Sequence, residues 1–83
     1  MKKMDFSTIG FVRAVRYRLS ILETVKSKST KKEISGRLRM PMPLVEKALG
    51  ELQERELLAA EKDGFTITEK GTKILAQISK QRL

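Results

Sequence analysis

The fold this sequence predicts is a mainly helical domain closed by a two-stranded β-hairpin, and three stretches predict it. Thr30-Lys31-Lys32-Glu33 has the form of a helix-starting capping box. Met40-Pro41-Met42-Pro43 ends one helix and begins another within four residues. The run Asp63-Gly64-Phe65-Thr66-Ile67-Thr68-Glu69-Lys70-Gly71-Thr72-Lys73-Ile74-Leu75 passes from a hairpin turn through a short alternating strand into a helix start. With 83 residues, 40% apolar and 34% charged, the chain has room for one domain around one modest core.

Residues 1–8 read as a flexible lead-in. A first helix is expected over 9–27, because Phe11, Val12, Val15, Leu19, Leu22 and Val25 recur at helical spacing. With Ala14 and Ile21 included, the apolar arc spans nearly half the circumference, wider than the roughly 100° stripe that covers one core. Two explanations are open. The surplus residues pack beneath the rest of the domain, or one side of the helix meets a second subunit. The second is the expectation adopted, with Phe11, Ala14, Val15, Ile21 and Ile78 as the dimer contacts.

Ser27-Lys28-Ser29 is a polar break. Residues 30–56 form a helix-turn-helix: a short helix capped by Thr30 and carrying Ile34 and Leu38, the proline-bearing turn, and a helix from Pro43 to about Glu56. In that second helix Val45, Ala48, Leu49 and Leu52 make a narrow inward stripe, continued by Leu57. Gly36 lies mid-helix, where it suits either a close helix crossing or a site with no demand. A hairpin follows over 57–68, turning at Lys62-Asp63-Gly64 and directing Phe65 and Ile67 inward. Thr68 caps a last helix over 69–82 with Ile74, Leu75 and Ile78 on its inner side.

The chain contains neither Cys nor His, which removes disulfides, thiolate nucleophiles, imidazole bases and the usual zinc ligands. No paired carboxylates stand out from helix surfaces, so a non-enzyme is expected, with no cofactor, no metal and no evident small-molecule substrate. No apolar stretch reaches the roughly 18 residues of a membrane span, and arginines interrupt any signal-peptide core. A cytoplasmic protein is the economical expectation. The net charge of +8 lies entirely in the first half: residues 1–39 hold eleven Lys/Arg against three acids, whereas 40–83 hold seven of each. Such an excess suits a polyanionic partner.

Taken in order, Ser29-Thr30-Lys31-Lys32-Glu33-Ile34, Val45-Glu46-Lys47-Ala48-Leu49-Gly50-Glu51-Leu52, Glu56-Leu57-Leu58 and Ile67-Thr68-Glu69-Lys70-Gly71 resemble the winged helix-turn-helix domain of archaeal and bacterial transcription regulators. The resemblance covers roughly Arg16 to Leu75. It implies three to four helices with a two-stranded wing and binding to double-stranded DNA; with the wide apolar arc, a homodimer associated with the nucleoid is the expectation. It makes the 43–56 helix the one that enters the major groove while its predecessor crosses the backbone. On that basis Met42, Pro43, Glu46, Lys47, Gly50 and Gln53 face base edges, with Lys47 donating to guanine and Glu46 accepting from cytosine. Thr30, Lys31, Lys32, Arg37 and Arg39 meet phosphates, and Lys62 reaches out from the wing.

The charge on two of these elements departs from that pattern. Glu46, Glu51, Glu54 and Glu56 outnumber Lys47 and Arg55 in the recognition helix, and Glu61-Lys62-Asp63 is net acidic. Affinity is therefore expected mainly from the basic first half. Two further readings are a winged-helix adaptor that docks a protein on its acidic helix and a sequence-indifferent nucleoid protein.

Overall fold

The structure, a computed structural model, describes residues 6–81. Residues 1–5 of the expected lead-in and Arg82, the expected helix end, lie outside the described residues. In chain order the elements are α1 (Phe6–Ala14), α2 (Arg16–Thr24), α3 (Lys31–Leu38), α4 (Met42–Glu54), β1 (Leu58–Glu61), β2 (Gly64–Ile67) and α5 (Glu69–Gln81). The fold is mainly helical with an antiparallel two-stranded wing, as the sequence predicts.

The first helix differs from expectation. Phe6, Ser7 and Thr8 are already helical, with Thr8 buried, rather than part of a lead-in. The continuous helix over 9–27 is replaced by two helices that break at Val15, which is extended at φ −130°, ψ 118°. The break explains the wide apolar arc. Each half turns a different part of it to the same core, burying Ile9 and Val12 from α1 and Ile21 and Leu22 from α2. It also frees the Phe11 carbonyl from the Val15 amide it would meet in a continuous helix. Arg18 Nη1 donates to that carbonyl at 2.7 Å instead. Past Thr24 the chain leaves helical geometry at Val25, so Lys26 lies in the turn.

The local signals further along are met. Thr30 Oγ1 accepts from the Glu33 amide at 3.1 Å, and Glu33 Oε1 accepts from the Thr30 amide at 2.9 Å, which completes the capping box. Pro41 is the N-cap of α4, so that helix opens at Met42 with Pro43 inside its first turn, where the missing amide is harmless. Val45, Ala48, Leu49, Leu52 and Leu57 are all buried, as are Ile74, Leu75 and Ile78 of α5. Nothing lies within 4 Å of a Cβ built on Gly36, so no helix crosses there.

In the wing, Leu58 pairs with Ile67 and Glu61 with Gly64, leaving Lys62-Asp63 as a two-residue turn. A third segment joins it: Ser29 exchanges two backbone hydrogen bonds with Phe65, at 3.0 and 2.7 Å. Gly64 belongs to this contact. Its φ is +151°, and a Cβ there would stand 2.9 Å from the Ser29 carbonyl oxygen.

Where the wing ends, four elements meet. The Leu57 amide donates to Leu52 of α4, and its carbonyl accepts from Thr68. Thr68 Oγ1 donates to the Glu56 carbonyl at 2.7 Å and accepts from the Gly71 amide at 3.0 Å, capping α5. Gly71 lies so close to Leu57 that any Cβ would run into the Leu57 carbonyl and the Ile67 side chain. Gly71→Ala is therefore expected to cost about 3 kcal/mol, because backbone cannot rotate away as a side chain can. Gly10→Ala, in open space on α1, should gain up to about 1 kcal/mol. Urea denaturation of both variants checks the contrast.

Candidate nucleic-acid interface

The residues expected to touch DNA lie on α3, on the exposed side of α4 and at the wing tip. Lys31 Nζ and Glu46 Oε2 stand 3.4 Å apart, so two of the expected contacts first meet each other and tie the start of α3 to the face of α4. Thr30 is likewise engaged, as the cap of α3. Lys32, Arg37, Arg39 and Lys47 are exposed, and among the described residues none has a carboxylate within ion-pairing distance. Pro43, Gly50 and Gln53 are exposed on α4, and Gly50 has open space above it. Met42 is half-buried and packs against the core.

Three pairings that the sequence did not disclose alter the charge of this surface. Arg18 Nη2 meets Glu51 Oε1 at 3.2 Å, with the two side chains only 14% and 26% exposed. The Arg18 and Arg55 guanidinium groups stand 3.8 and 4.2 Å from the centre of the Phe11 ring, so both cations lie over one aromatic. Lys28 Nζ reaches Glu61 at 3.2 Å and Asp63 at 3.0 Å. Lys28 thus fastens the wing tip to the α2–α3 turn and answers both of its acids, leaving Lys62 exposed between them. Apart from Arg18 and Phe11, seven residues apart, these partners are more than thirty residues apart in sequence, so no local pattern announced them.

The expected dimer contacts need correction. Ile21 and Ile78 are 0% and 3% exposed in the core, out of reach of a second subunit. Phe11 is half-buried beneath two arginines, and Val15 is half-buried at the helix break. Ala14 is exposed. The apolar group that α1 does present is Phe6, 67% exposed. Tyr17 packs against the core and lines an open groove of about 290 Å³ with Arg16, Ser20, Leu38 and Met40. Among the described residues no His, Cys, Asp and Glu side chains cluster as a metal site, and no helix is long and apolar enough to cross a membrane.

The Asp63 carboxyl is held below the usual carboxylate range by the hydrogen bond from Lys28, and Lys28 is raised above the usual lysine range by Asp63 and then Glu61. A depressed acid stabilises the pair above its ordinary range and stops doing so as pH falls through its lowered midpoint. The raised lysine contributes below its ordinary range and loses that contribution as pH rises through its own midpoint. An NMR titration should place the Asp63 midpoint below about 3.9. In Lys28→Ala it should rise towards the ordinary value, the backbone hydrogen bond to Asp63 being retained; an identical midpoint in both proteins would contradict the pairing.

Comparison with known proteins agrees with this geometry. The winged helix-turn-helix family profile matches residues 16–83, from the start of α2 onward. Among solved structures, MepR, a transcription regulator of the Staphylococcus aureus multidrug efflux pump MepA, superposes with a TM-score of 0.77 at 15% identity. The match covers 89% of this chain and 60% of the MepR chain. No curated protein matches the sequence.

Proposed function

The chain belongs to the winged helix-turn-helix family, and from that premise we propose that it is a sequence-specific double-stranded DNA-binding transcription regulator, working as a homodimer in the cytoplasm, at the nucleoid. It acts by occupying a promoter, not by catalysis. The observation that carries this reading is how four of the acids around the helix-turn-helix are occupied, Glu54 and Glu56 at the end of α4 staying exposed and outside any ion pair among the described residues. Glu46 is met by Lys31, Glu51 by Arg18, and Glu61 and Asp63 by Lys28. Lys32, Arg37, Arg39 and Lys47 remain for an external anion. The acidic balance of α4 read from sequence alone therefore overstates the repulsion a phosphate would meet.

In this reading α4 enters the major groove. Lys47 addresses a guanine edge, and Pro43, Gly50 and Gln53 line the approach. Lys32, Arg37 and Arg39 grip the backbone beside it, aided by the N-terminal amides of α3. Lys62 extends from the wing, and together with Lys28 it balances the two acids there, Glu61 and Asp63. A second copy is proposed to dock on the outward side of α1, where Phe6, Gly10 and Ala14 follow at four-residue spacing and are exposed. Two recognition helices would then stand about 34 Å apart, one turn of duplex.

Selection from a random duplex pool at physiological salt tests the reading, and a strong sequence preference is expected. Uniform binding would favour a sequence-indifferent nucleoid protein. No binding even at low salt would favour a protein-docking adaptor. Lys47→Ala should cost about 1–3 kcal/mol of discrimination at one base pair, whereas Lys32→Ala should weaken all duplexes and reduce the slope of log affinity against log salt by about 0.9. Phe6→Glu should convert the dimer to a monomer in sedimentation equilibrium; an unchanged mass would remove α1 from the interface.

A further inference from the structure

Among the ion-paired side chains of the described residues Arg18 is the most withdrawn from water, and no contact with DNA requires it. Its Nη1 donates to the Phe11 carbonyl at 2.7 Å, while Nη2 and Nε reach Glu51 Oε1 at 3.2 and 3.4 Å. The same guanidinium lies over the Phe11 ring, and Arg55, the C-cap of α4, places a second one there. One group of four side chains thus spans α1, α2 and α4.

Stability alone does not call for an arginine at this place. Drawing a guanidinium and a carboxylate away from water costs about what their attraction returns, and apolar side chains of similar volume often serve as well or better. What the pair adds is direction. The break at Val15 uncouples α1 from the axis of α2, and α1 lies ahead of the residues that match the family profile. Ile9 and Val12 hold it to the core, but apolar burial is non-directional. It keeps α1 down without fixing where along the core it rests. Hydrogen bonds weaken steeply as their angle closes, so a planar guanidinium bonded to both Phe11 and Glu51 fixes α1 against α4.

We propose that Arg18 is a positioning residue that sets α4 relative to the outward face of α1, and through it the half-site spacing that a dimer accepts. This rests on the homodimeric, DNA-binding reading. In a two-fold dimer every displacement of α1 along its core counts twice. Base pairs follow about 3.4 Å apart along a duplex, so a slip of about 1.7 Å in each copy changes the spacing by one base pair. That is close to the rise of one helical residue, about 1.5 Å. An apolar contact permits a slip of this size, whereas the Arg18 fork forbids it.

The test uses duplexes carrying one selected half-site, or two at centre-to-centre spacings from about 8 to 13 base pairs. The parent should favour one spacing over its neighbours by about tenfold, within the usual range of coupling between sites. Arg18→Met/Glu51→Met removes both charges together, so no orphaned carboxylate remains. This double variant should match or exceed the parent's Tm, stay dimeric in sedimentation equilibrium and bind the single half-site as the parent does. Its preference among spacings should fall below about fivefold. If it keeps the parent's spacing preference, or melts well below the parent, Arg18 serves stability and the positioning role is overturned, although the regulator and dimer readings stand. If the parent binds no duplex, or binds every spacing alike, the reading on which the role rests falls with it.

Discussion

The approach of Gly71 to Leu57 is the constraint on which the rest of the molecule depends. At that point the end of α4, both wing strands and the start of α5 share a few backbone groups, and no side chain fits between them. Thr68 supplies the connection, its hydroxyl donating a hydrogen bond to the Glu56 carbonyl and accepting one from the Gly71 amide. Glu56 turns through the left-handed region at φ 63° to bring the chain there. With this junction closed, Leu57 and Leu58 are buried in the same core as Leu52, and α5, with Ile74 and Ile78 buried, packs against α1, α2 and β2. The wing becomes a rigid extension of the helix pair, with its inner strand further paired to Ser29.

Charge is organised around that frame by pairs that span the chain. Arg18 joins the broken first helix to α4 through Phe11 and Glu51, in a partly buried setting where an ion pair with several hydrogen bonds outweighs its exposed counterparts. Lys28 holds the wing tip and Lys31 holds α4, both near the surface. Each pairing withdraws an acid from the face that an anionic partner would approach. The basic excess of the first half thus acts in two ways. Part of it pairs with acids of the second half, and Lys32, Arg37 and Arg39 stay exposed along α3 and its C-cap, with Arg16 and Lys26 exposed elsewhere.

Short-range features of the fold were legible in the residues themselves. The Thr30–Glu33 box, the Pro41 boundary, the Val45–Leu52 stripe and the Thr68 cap each depend on neighbours within about one helical turn, so local chemistry decides them. The break at Val15 was not legible, because Val15 continues the helical period and the break is stabilised by Arg18 and by burial of both halves of the arc. For the same reason the arc's width suggests a second subunit, whereas Ile21 lies in the chain's own core, as does Ile78 of α5. The Ser29–Phe65 bridge and the Lys28 and Arg18 partners join residues more than thirty positions apart. The candidate site divided in the same way: its residue types and helices could be read in advance, but the acids already occupied could not.

The central claim is that an anionic duplex is held by α3 and the start of α4, with the wing and α5 in secondary roles. Backbone amide chemical-shift mapping with a short duplex measures this directly. The account predicts the largest shifts from Lys31 to Arg39 and over the first two turns of α4, with smaller ones around Lys62. Shifts concentrated on the wing turn or along α5, with α3 unmoved, would contradict it.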